Sequence, residues 1–311
     1  MTLDLRGIIP ATITPMREGG EIDEDALRRY IRWLLGYEGL KALAVNMDTG
    51  EGPQLLRDER RRVLEVYAEE AGGRIPVLAG IGAPNTAVAC DLARDARDAG
   101  AAGVVVFPHP VFVGEHLPSA VPYEYHKAIA EACQLPMVIF QLQASLAGVI
   151  FSHEALLKLA SIPNVIAIKE ASFDAVRFVD TVRVLADAPR HLQILTGNDN
   201  FILESFLLGA EGALIGFGTI AVAEQIEMVE LYRVGRLDEA RAIYDGVVQP
   251  LVTTIFAAPV RDYRVRLKEA IAELGVIEST AVRAPLLGLS EEERRAVRAA
   301  VRGAGLRMGV G

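Results

Sequence analysis

Cysteine is nearly absent from these 311 residues. There are two, Cys90 and Cys133, each inside a predicted helix. Two such residues build no disulfide framework, and a chain this long needs none, because folding buries most of its unfolded surface. They read as small apolar side chains in a reducing compartment. Aromatics are also few, 6% with one tryptophan, against 28 glycines and an apolar fraction of 51%. That balance excludes a disordered chain, argues against a β-sandwich, and fits helices packed closely on a sheet. Long apolar runs are missing. The longest uncharged stretch, residues 132–152, holds Pro136 and three glutamines and fails as a membrane-spanning helix. The opening Met1-Thr2-Leu3-Asp4-Leu5-Arg6 has neither an apolar core nor a cleavage site, so no signal peptide is expected. Positive charge is in deficit as well. A net charge of −9 excludes the basic stripe of a nucleic-acid binder. A soluble, cytoplasmic protein with no nucleic-acid and no membrane partner is expected. Lysine is the scarcest cation, 5 residues against 27 arginines.

What is present is a recurring unit. Apolar, β-rich runs at 7–13, 41–46, 76–82, 103–108, 136–141, 165–170, 193–198 and 212–217 are each followed by an amphipathic helical pattern. The runs are continuously apolar, as in parallel strands covered on both faces. Eight βα units predict a (β/α)8 TIM barrel. The structural alternative, a doubly wound open sheet, calls for a glycine fingerprint after the first strand. Pro10-Ala11-Thr12-Ile13-Thr14-Pro15 is not one. Past residue 235 only helical patterns remain, at 236–256, 262–274 and 290–303, the last opened by the capping spelling Ser290-Glu291-Glu292-Glu293. The expected division is a barrel with the active site over 1–230 and a C-terminal helical extension over 231–311.

Barrel enzymes place their chemistry at the C-terminal ends of strands and in the loops that follow. Those places hold Thr12 and Thr14, Asp48-Thr49-Gly50-Glu51, Gly80-Ile81-Gly82, and His109 with His116 beyond. Next come Phe140-Gln141-Leu142-Gln143, Lys169-Glu170, Gly197-Asn198-Asp199 and Gly216-Phe217-Gly218-Thr219. Lys169 stands out. It follows Val165-Ile166-Ala167-Ile168, so its amine meets the mouth of an apolar barrel in a chain that otherwise favours arginine. At an ordinary pKa of about 10.4, roughly one amine in 2,500 is neutral at pH 7. Desolvation by about 3 pKa units makes a substantial fraction nucleophilic. A structural ion pair with Glu170 or another carboxylate at the strand end is the competing reading; Glu170 should point to the other side of the strand, which weakens that pairing.

These residues resemble the dihydrodipicolinate synthase / N-acetylneuraminate lyase superfamily of class I aldolase-type barrels. The resemblance runs from Gly7 to about Glu293. It is carried by Gly7-Ile8-Ile9-Pro10-Ala11, Thr49-Gly50-Glu51, Gly80-Ile81-Gly82, Gly197-Asn198-Asp199 and Gly212-Ala213-Leu214-Ile215. The most specific segment is Pro163-Asn164-Val165-Ile166-Ala167-Ile168-Lys169-Glu170-Ala171-Ser172, similar to the family's Schiff-base strand. The resemblance implies a lyase (aldolase, synthase or dehydratase) that forms a Schiff base between Lys169 and pyruvate or a related 2-oxo acid. It also implies a homotetramer or homodimer and no organic cofactor. Thr49 would meet the oxo acid's carboxylate, and Phe140, Gln141 and Leu214 are the other expected substrate contacts.

The chain also departs from the family. A tyrosine that relays protons usually ends the fifth strand; Phe140 stands there and cannot transfer a proton. Met47 and Asp48 open the usual Gly-Thr-Thr-Gly-Glu motif, Ser145 replaces an arginine for the second substrate, and His109-Pro110-Val111-Phe112 replaces tyrosines after strand 4. The missing relay argues against dihydrodipicolinate synthase activity proper. Asp48, His109, His116 and Gln141 are the polar candidates to replace it, with Asp48 and His109 as the expected acid/base residues. Glu51 reads as structural. No metal is expected, since the two histidines lack a third ligand at suitable spacing. Two other readings remain: a phosphate-binding barrel using the glycine turns after strands 7 and 8, and a non-catalytic oxo-acid binder.

Overall fold

The computed structural model describes residues 3–113 and 117–307. The chain runs β1 (Ile8–Pro10), α1 (Glu24–Leu35), β2 (Leu43–Val45), α2 (Arg57–Ala71), β3 (Val77–Ile81), α3 (Thr86–Asp98), β4 (Gly103–Val106) and α4 (Ala120–Cys133). It continues with β5 (Met137–Leu142), α5 (His153–Ala160), β6 (Val165–Ala171), α6 (Ala175–Ala186), β7 (Gln193–Thr196), α7 (Ile202–Leu207), β8 (Gly212–Ile215) and α8 (Val222–Arg233). All eight strands are parallel and adjacent in chain order. β1 pairs with β8, and the bridge between Ala11 and Ala44 joins the β1 and β2 ends. This is the (β/α)8 barrel the sequence predicts. An open doubly wound sheet would reverse its strand order at a switch point, and this sheet does not.

Local chemistry sets the helix starts. Asp23, Asn85, Ser152 and Asp174 accept backbone N–H bonds at the first turns of α1, α3, α5 and α6. The strands separate two apolar layers. Inward side chains, among them Leu5, Ile9, Leu78, Val105, Val138, Leu195 and Leu214, fill the barrel; outward ones pack under the helices. The same alternation sorts the polar residues. In the β5–β6 register Phe140 lies beside Lys169 and Gln141 beside Glu170, so the first pair faces in and the second faces out.

The extension follows as α9 (Leu237–Ile243), α10 (Gln249–Ile255), α11 (Tyr263–Glu273) and α12 (Glu291–Ala304), with a π-helical segment bridging α9 and α10. α12 carries the capping box spelled by Ser290 and Glu293. No single helix among the described residues is long and apolar enough to cross a membrane. α11 is unusual: it buries Arg264, Arg266, Lys268 and Glu269 together with its apolar residues. The fully buried Lys268 amine reaches Glu51 Oε1 at 2.6 Å and the Ala281 carbonyl at 2.7 Å. The Arg283 N–H donates to Glu51 Oε2 at 2.6 Å. Glu51 itself sits in the left-handed region at φ 57°, which costs energy for a non-glycine residue. The extension therefore grips the loop after β2 through a buried ion pair.

Removing one partner of such a pair leaves an uncompensated buried charge. Lys268→Met is expected to lower stability by about 3–5 kcal/mol in chemical denaturation, and Lys268→Met/Glu51→Gln by less. A loss below about 1 kcal/mol for the single variant would assign the docking of the extension to its apolar contacts instead.

Candidate active site

Lys169 enters the barrel near the C-terminal end of β6 and is almost wholly buried. Its Nζ lies 4.3 Å from the centre of the Phe140 ring and makes no hydrogen bond or ion pair with any described residue. A Cβ at position 197 would sit 2.8 Å from Lys169 Cε, so Gly197 is what leaves the side chain its path. The amine opens on a cavity of about 30 Å³, whose polar walls are Asp48, Thr49, Asp199 and Tyr263 and whose apolar walls include Phe140 and Leu142. That space suits a substrate head of a few heavy atoms. Asp48, Leu142 and Leu146 also line a wider cleft of about 610 Å³, which holds Arg60, Ser145, Arg261 and Arg264.

Burial dominates the electrostatics. Desolvation pushes the Lys169 amine down to about 8, against the opposing pull of the Asp199 and Asp48 charges. At that value about one amine in ten is neutral at pH 7. Desolvation likewise raises the Asp199 carboxyl, opposed by the Phe217 N–H at 2.8 Å and the neighbouring amine. The same bond weighs against the phosphate reading, because the turn after β8 already spends the Phe217 N–H on a carboxylate of the chain itself.

The loop after β2 forms the facing wall. Thr12 and Thr14 serve it structurally, their hydroxyls donating to the Ala44 and Gly50 carbonyls at 3.2 and 2.8 Å. Asp48 Oδ2 accepts from the Tyr263 hydroxyl at 2.9 Å and from Arg264, whose Nε also donates to the Asp48 carbonyl at 2.9 Å. The Thr49 hydroxyl is 3.3 Å from the Tyr263 oxygen. Gly216 is needed below them. A Cβ there would stand 3.0 Å from Thr49 Oγ1 and 3.1 Å from Tyr263 Cε2.

The expected site residues divide. Lys169, Asp48, Thr49 and Phe140 meet at one cavity. Gln141 does not: its amide donates to Thr181 Oγ1 at 2.7 Å and Glu170 Oε1 at 3.2 Å in the layer beneath the helices. Strand alternation puts it there, one residue from Phe140. Glu170 faces the same way, held by Asn198 at 2.8 Å, and is no partner for Lys169. His109 is also elsewhere. Its Nδ1 accepts from the Val111 N–H at 3.1 Å, and its ring packs 5.7 Å from those of Phe112 and Tyr125 in a groove between the starts of α3 and α4. It does not line the cavity at Lys169. Leu214 lies in the apolar filling of the barrel, one inward layer below Gly216, and supports the cavity floor without lining it. His116 lies outside the described residues. Among the described residues no group of three or more His, Cys, Asp or Glu side chains could hold a metal ion.

Sequence reasoning passed over Tyr263 and Arg264, because a rule that searches the ends of strands does not look in a C-terminal helix. A signal was present. The segment Arg261-Asp262-Tyr263-Arg264-Val265-Arg266-Leu267-Lys268-Glu269 alternates charged and apolar residues without the stripe of a surface helix, as fits a helix enclosed on all sides.

Comparisons with known proteins agree with this geometry. The model of the dihydrodipicolinate synthetase family matches residues 4–304. The chain is 32% identical over 307 residues to the 4-hydroxy-tetrahydrodipicolinate synthase of Syntrophus aciditrophicus (strain SB), covering 97% of this chain and 99% of that one. It is similar to the solved chloride-inhibited dihydrodipicolinate synthase from Acinetobacter baumannii complexed with pyruvate, with TM-score 0.85, 28% identity and coverage of 98% and 100%. It also superposes on a solved monomeric dihydrodipicolinate synthase variant with TM-score 0.88, 27% identity and coverage of 97% of each chain. Full-length similarity in sequence and structure, with a buried lysine at the mouth of β6, leads to one conclusion: this chain belongs to the dihydrodipicolinate synthetase family.

Proposed function

We propose that the protein is a Schiff-base-forming lyase that acts on pyruvate or a related 2-oxo acid through Lys169. The observation that carries this reading is the Lys169 amine. It is buried at a small cavity, has no hydrogen-bonding partner among the described residues, and is lowered toward neutrality by desolvation. A structural lysine would be paired, as Lys268 is. The neutral amine attacks the 2-oxo carbon, the carbinolamine loses water, and the resulting iminium draws electrons from the adjacent carbon for bond formation or cleavage. In this reading Thr49 receives the acid's carboxylate and Phe140 packs against its small apolar end; both line the cavity at Lys169. The wider cleft is left for the second reactant or the remainder of the substrate.

The test is borohydride trapping across a panel of 2-oxo acids, read by mass spectrometry of the peptide carrying Lys169. An irreversible adduct is expected with pyruvate or a close relative, and none in Lys169→Arg, since a guanidinium stays protonated and does not attack. An enzyme that yields no adduct with any member of the panel is not of this class. The pH dependence has a definite sign. Only the deprotonated amine reacts, so the initial trapping rate should climb as pH rises to about 8 and level off above it. An unperturbed lysine would keep gaining rate up to about 10.4.

Association into a homotetramer or homodimer belongs to the same reading. Val111 and Val121 are exposed and line one groove outside the barrel. Light scattering at micromolar concentration should report a dimer or tetramer; a monomer mass would retire this part.

A further inference from the structure

Schiff-base chemistry on a 2-oxo acid requires a group that moves a proton at the carbon next to the iminium. Resting on the reading of Lys169 above, we infer that Tyr263 of α11 is that group, acting as a relay whose proton passes to Asp48.

The inference follows from which protic groups reach the cavity. Phe140 carries no proton, Gln141 faces the outer layer, and His109 lies in another groove. Four protic side chains other than Lys169 remain: Asp48, Thr49, Asp199 and Tyr263. Asp199 is buried, accepts from the Phe217 N–H, and lines the small cavity but not the wider cleft, so a proton taken there has no comparable route to water. The Thr49 hydroxyl bonds no carboxylate among the described residues; its side-chain hydrogen-bond partner there is the Tyr263 oxygen. Tyr263 differs from both. Its hydroxyl lies at the cavity and already donates to Asp48 Oδ2 at 2.9 Å. The Asp48 side chain is 23% exposed and also lines the wider cleft, so a proton taken there has a route to water. The pair thus spans from the dry cavity to the wet one.

The remaining contacts fix the phenol in place. Its ring stacks on Phe256 with centroids 4.8 Å apart, Thr49 bonds its oxygen, and Gly216 leaves space for its edge. Arg264 holds the Asp48 carboxylate from the other side. Burial keeps the phenol protonated at ordinary pH, which suits a hydroxyl that passes protons without lasting ionisation.

The step balances. In the iminium formed by Lys169, the C3–H bond breaks and its electron pair forms the C2=C3 double bond, while the C2=N electrons return to nitrogen. The Tyr263 oxygen takes the C3 proton as its own O–H proton goes to the Asp48 carboxylate. Asp48 then releases that proton to water in the cleft, and the reverse sequence protonates the enamine.

The experiment follows pyruvate and 2-oxobutyrate in D2O by proton NMR, measuring C3 hydrogen–deuterium exchange next to borohydride trapping of the same samples. Wild type is expected to show both. Tyr263→Phe keeps the ring and its stacking, so adduct yield at saturating oxo acid should stay within about twofold while exchange falls by about 100-fold or more. Asp48→Asn should lower exchange to a similar degree, and combining the two should lower it little further, because both act on one transfer. This second variant also stands in if Tyr263→Phe does not fold. Exchange in Tyr263→Phe within about threefold of wild type, or exchange lost only in Asp48→Asn, overturns the relay and leaves the Schiff base in place. Trapping in wild type without exchange overturns it as well, as does a folded Tyr263→Phe that no longer traps. Neither adduct nor exchange in wild type overturns both proposals together.

Discussion

The arrangement of this molecule depends on one buried ion pair. Lys268 and Glu51 have no exposed surface, and two charges removed from water at 2.6 Å persist only if their other hydrogen-bonding capacity is met. It is met: the Ala281 carbonyl takes a second proton of the amine, and the Arg283 N–H fills the second carboxylate oxygen. The partners come from three distant segments, namely the loop after β2, helix α11, and the stretch leading to α12. Breaking any of them exposes the others to an unpaired charge in a dry interior. The geometry is therefore close to all-or-none, and it sets α11 in a single register over the barrel mouth. Tyr263 and Arg264 precede Lys268 by five and four residues, about one helical turn. Their reach to Asp48 follows from that anchoring.

The two buried lysines show how partners decide what burial does. Lys268 is surrounded by acceptors, so its charge is structural. Desolvation still pulls its affinity for the proton down, but Glu51 pulls it back. Lys169 lies at similar depth with an aromatic face at 4.3 Å and no acceptor bonded to it. A cation over a phenyl ring gains some attraction, yet far less than a carboxylate contact supplies in a dry site. The amine is left where losing its proton is cheap. Asp199 and Asp48 act at a distance, keeping the shift from going further.

The barrel was legible because its signals are local and repeated. Eight apolar runs, each with a helix after it, need no knowledge of distant contacts, and strand ends differed from the expected ones mainly where loops leave the sheet. Lys169 was legible for a related reason: a strand that is apolar on both faces makes its one inward cation conspicuous. Gln141 was misjudged by one step of the pleat, since position along a strand does not tell which face a residue takes without the register fixed by Phe140 and Lys169. His109 was misjudged because a loop that leaves the barrel mouth can turn outward, and its Nδ1 bond to Val111 N–H turns it so. The scarcity of lysine marked Lys169 but could not distinguish it from Lys268, whose helix looked ordinary. What separates them is a contact 217 residues away in sequence. Tyr263 was invisible for the same reason, its partners lying more than 200 residues earlier.

Phe140 gains a different meaning once that helix is in place. Read along the strand, it stands where the resemblance leads one to expect a hydroxyl. In the folded chain the cavity has two walls of opposite character. β5 contributes an apolar one that strips water from the amine, while the β2 loop and α11 contribute a polar one where Asp48, Thr49 and Tyr263 are bonded to each other. A tyrosine at position 140 would bring a second hydroxyl to the apolar wall and, with it, a reason for water to stay beside Lys169. The phenyl ring adds no polar group on that side, and so the burial that lowers the Lys169 amine and the protic groups of the cavity lie on different walls. Fold membership alone would not reveal this division, because it is made by a helix outside the barrel and fixed by a salt bridge that takes no part in the chemistry.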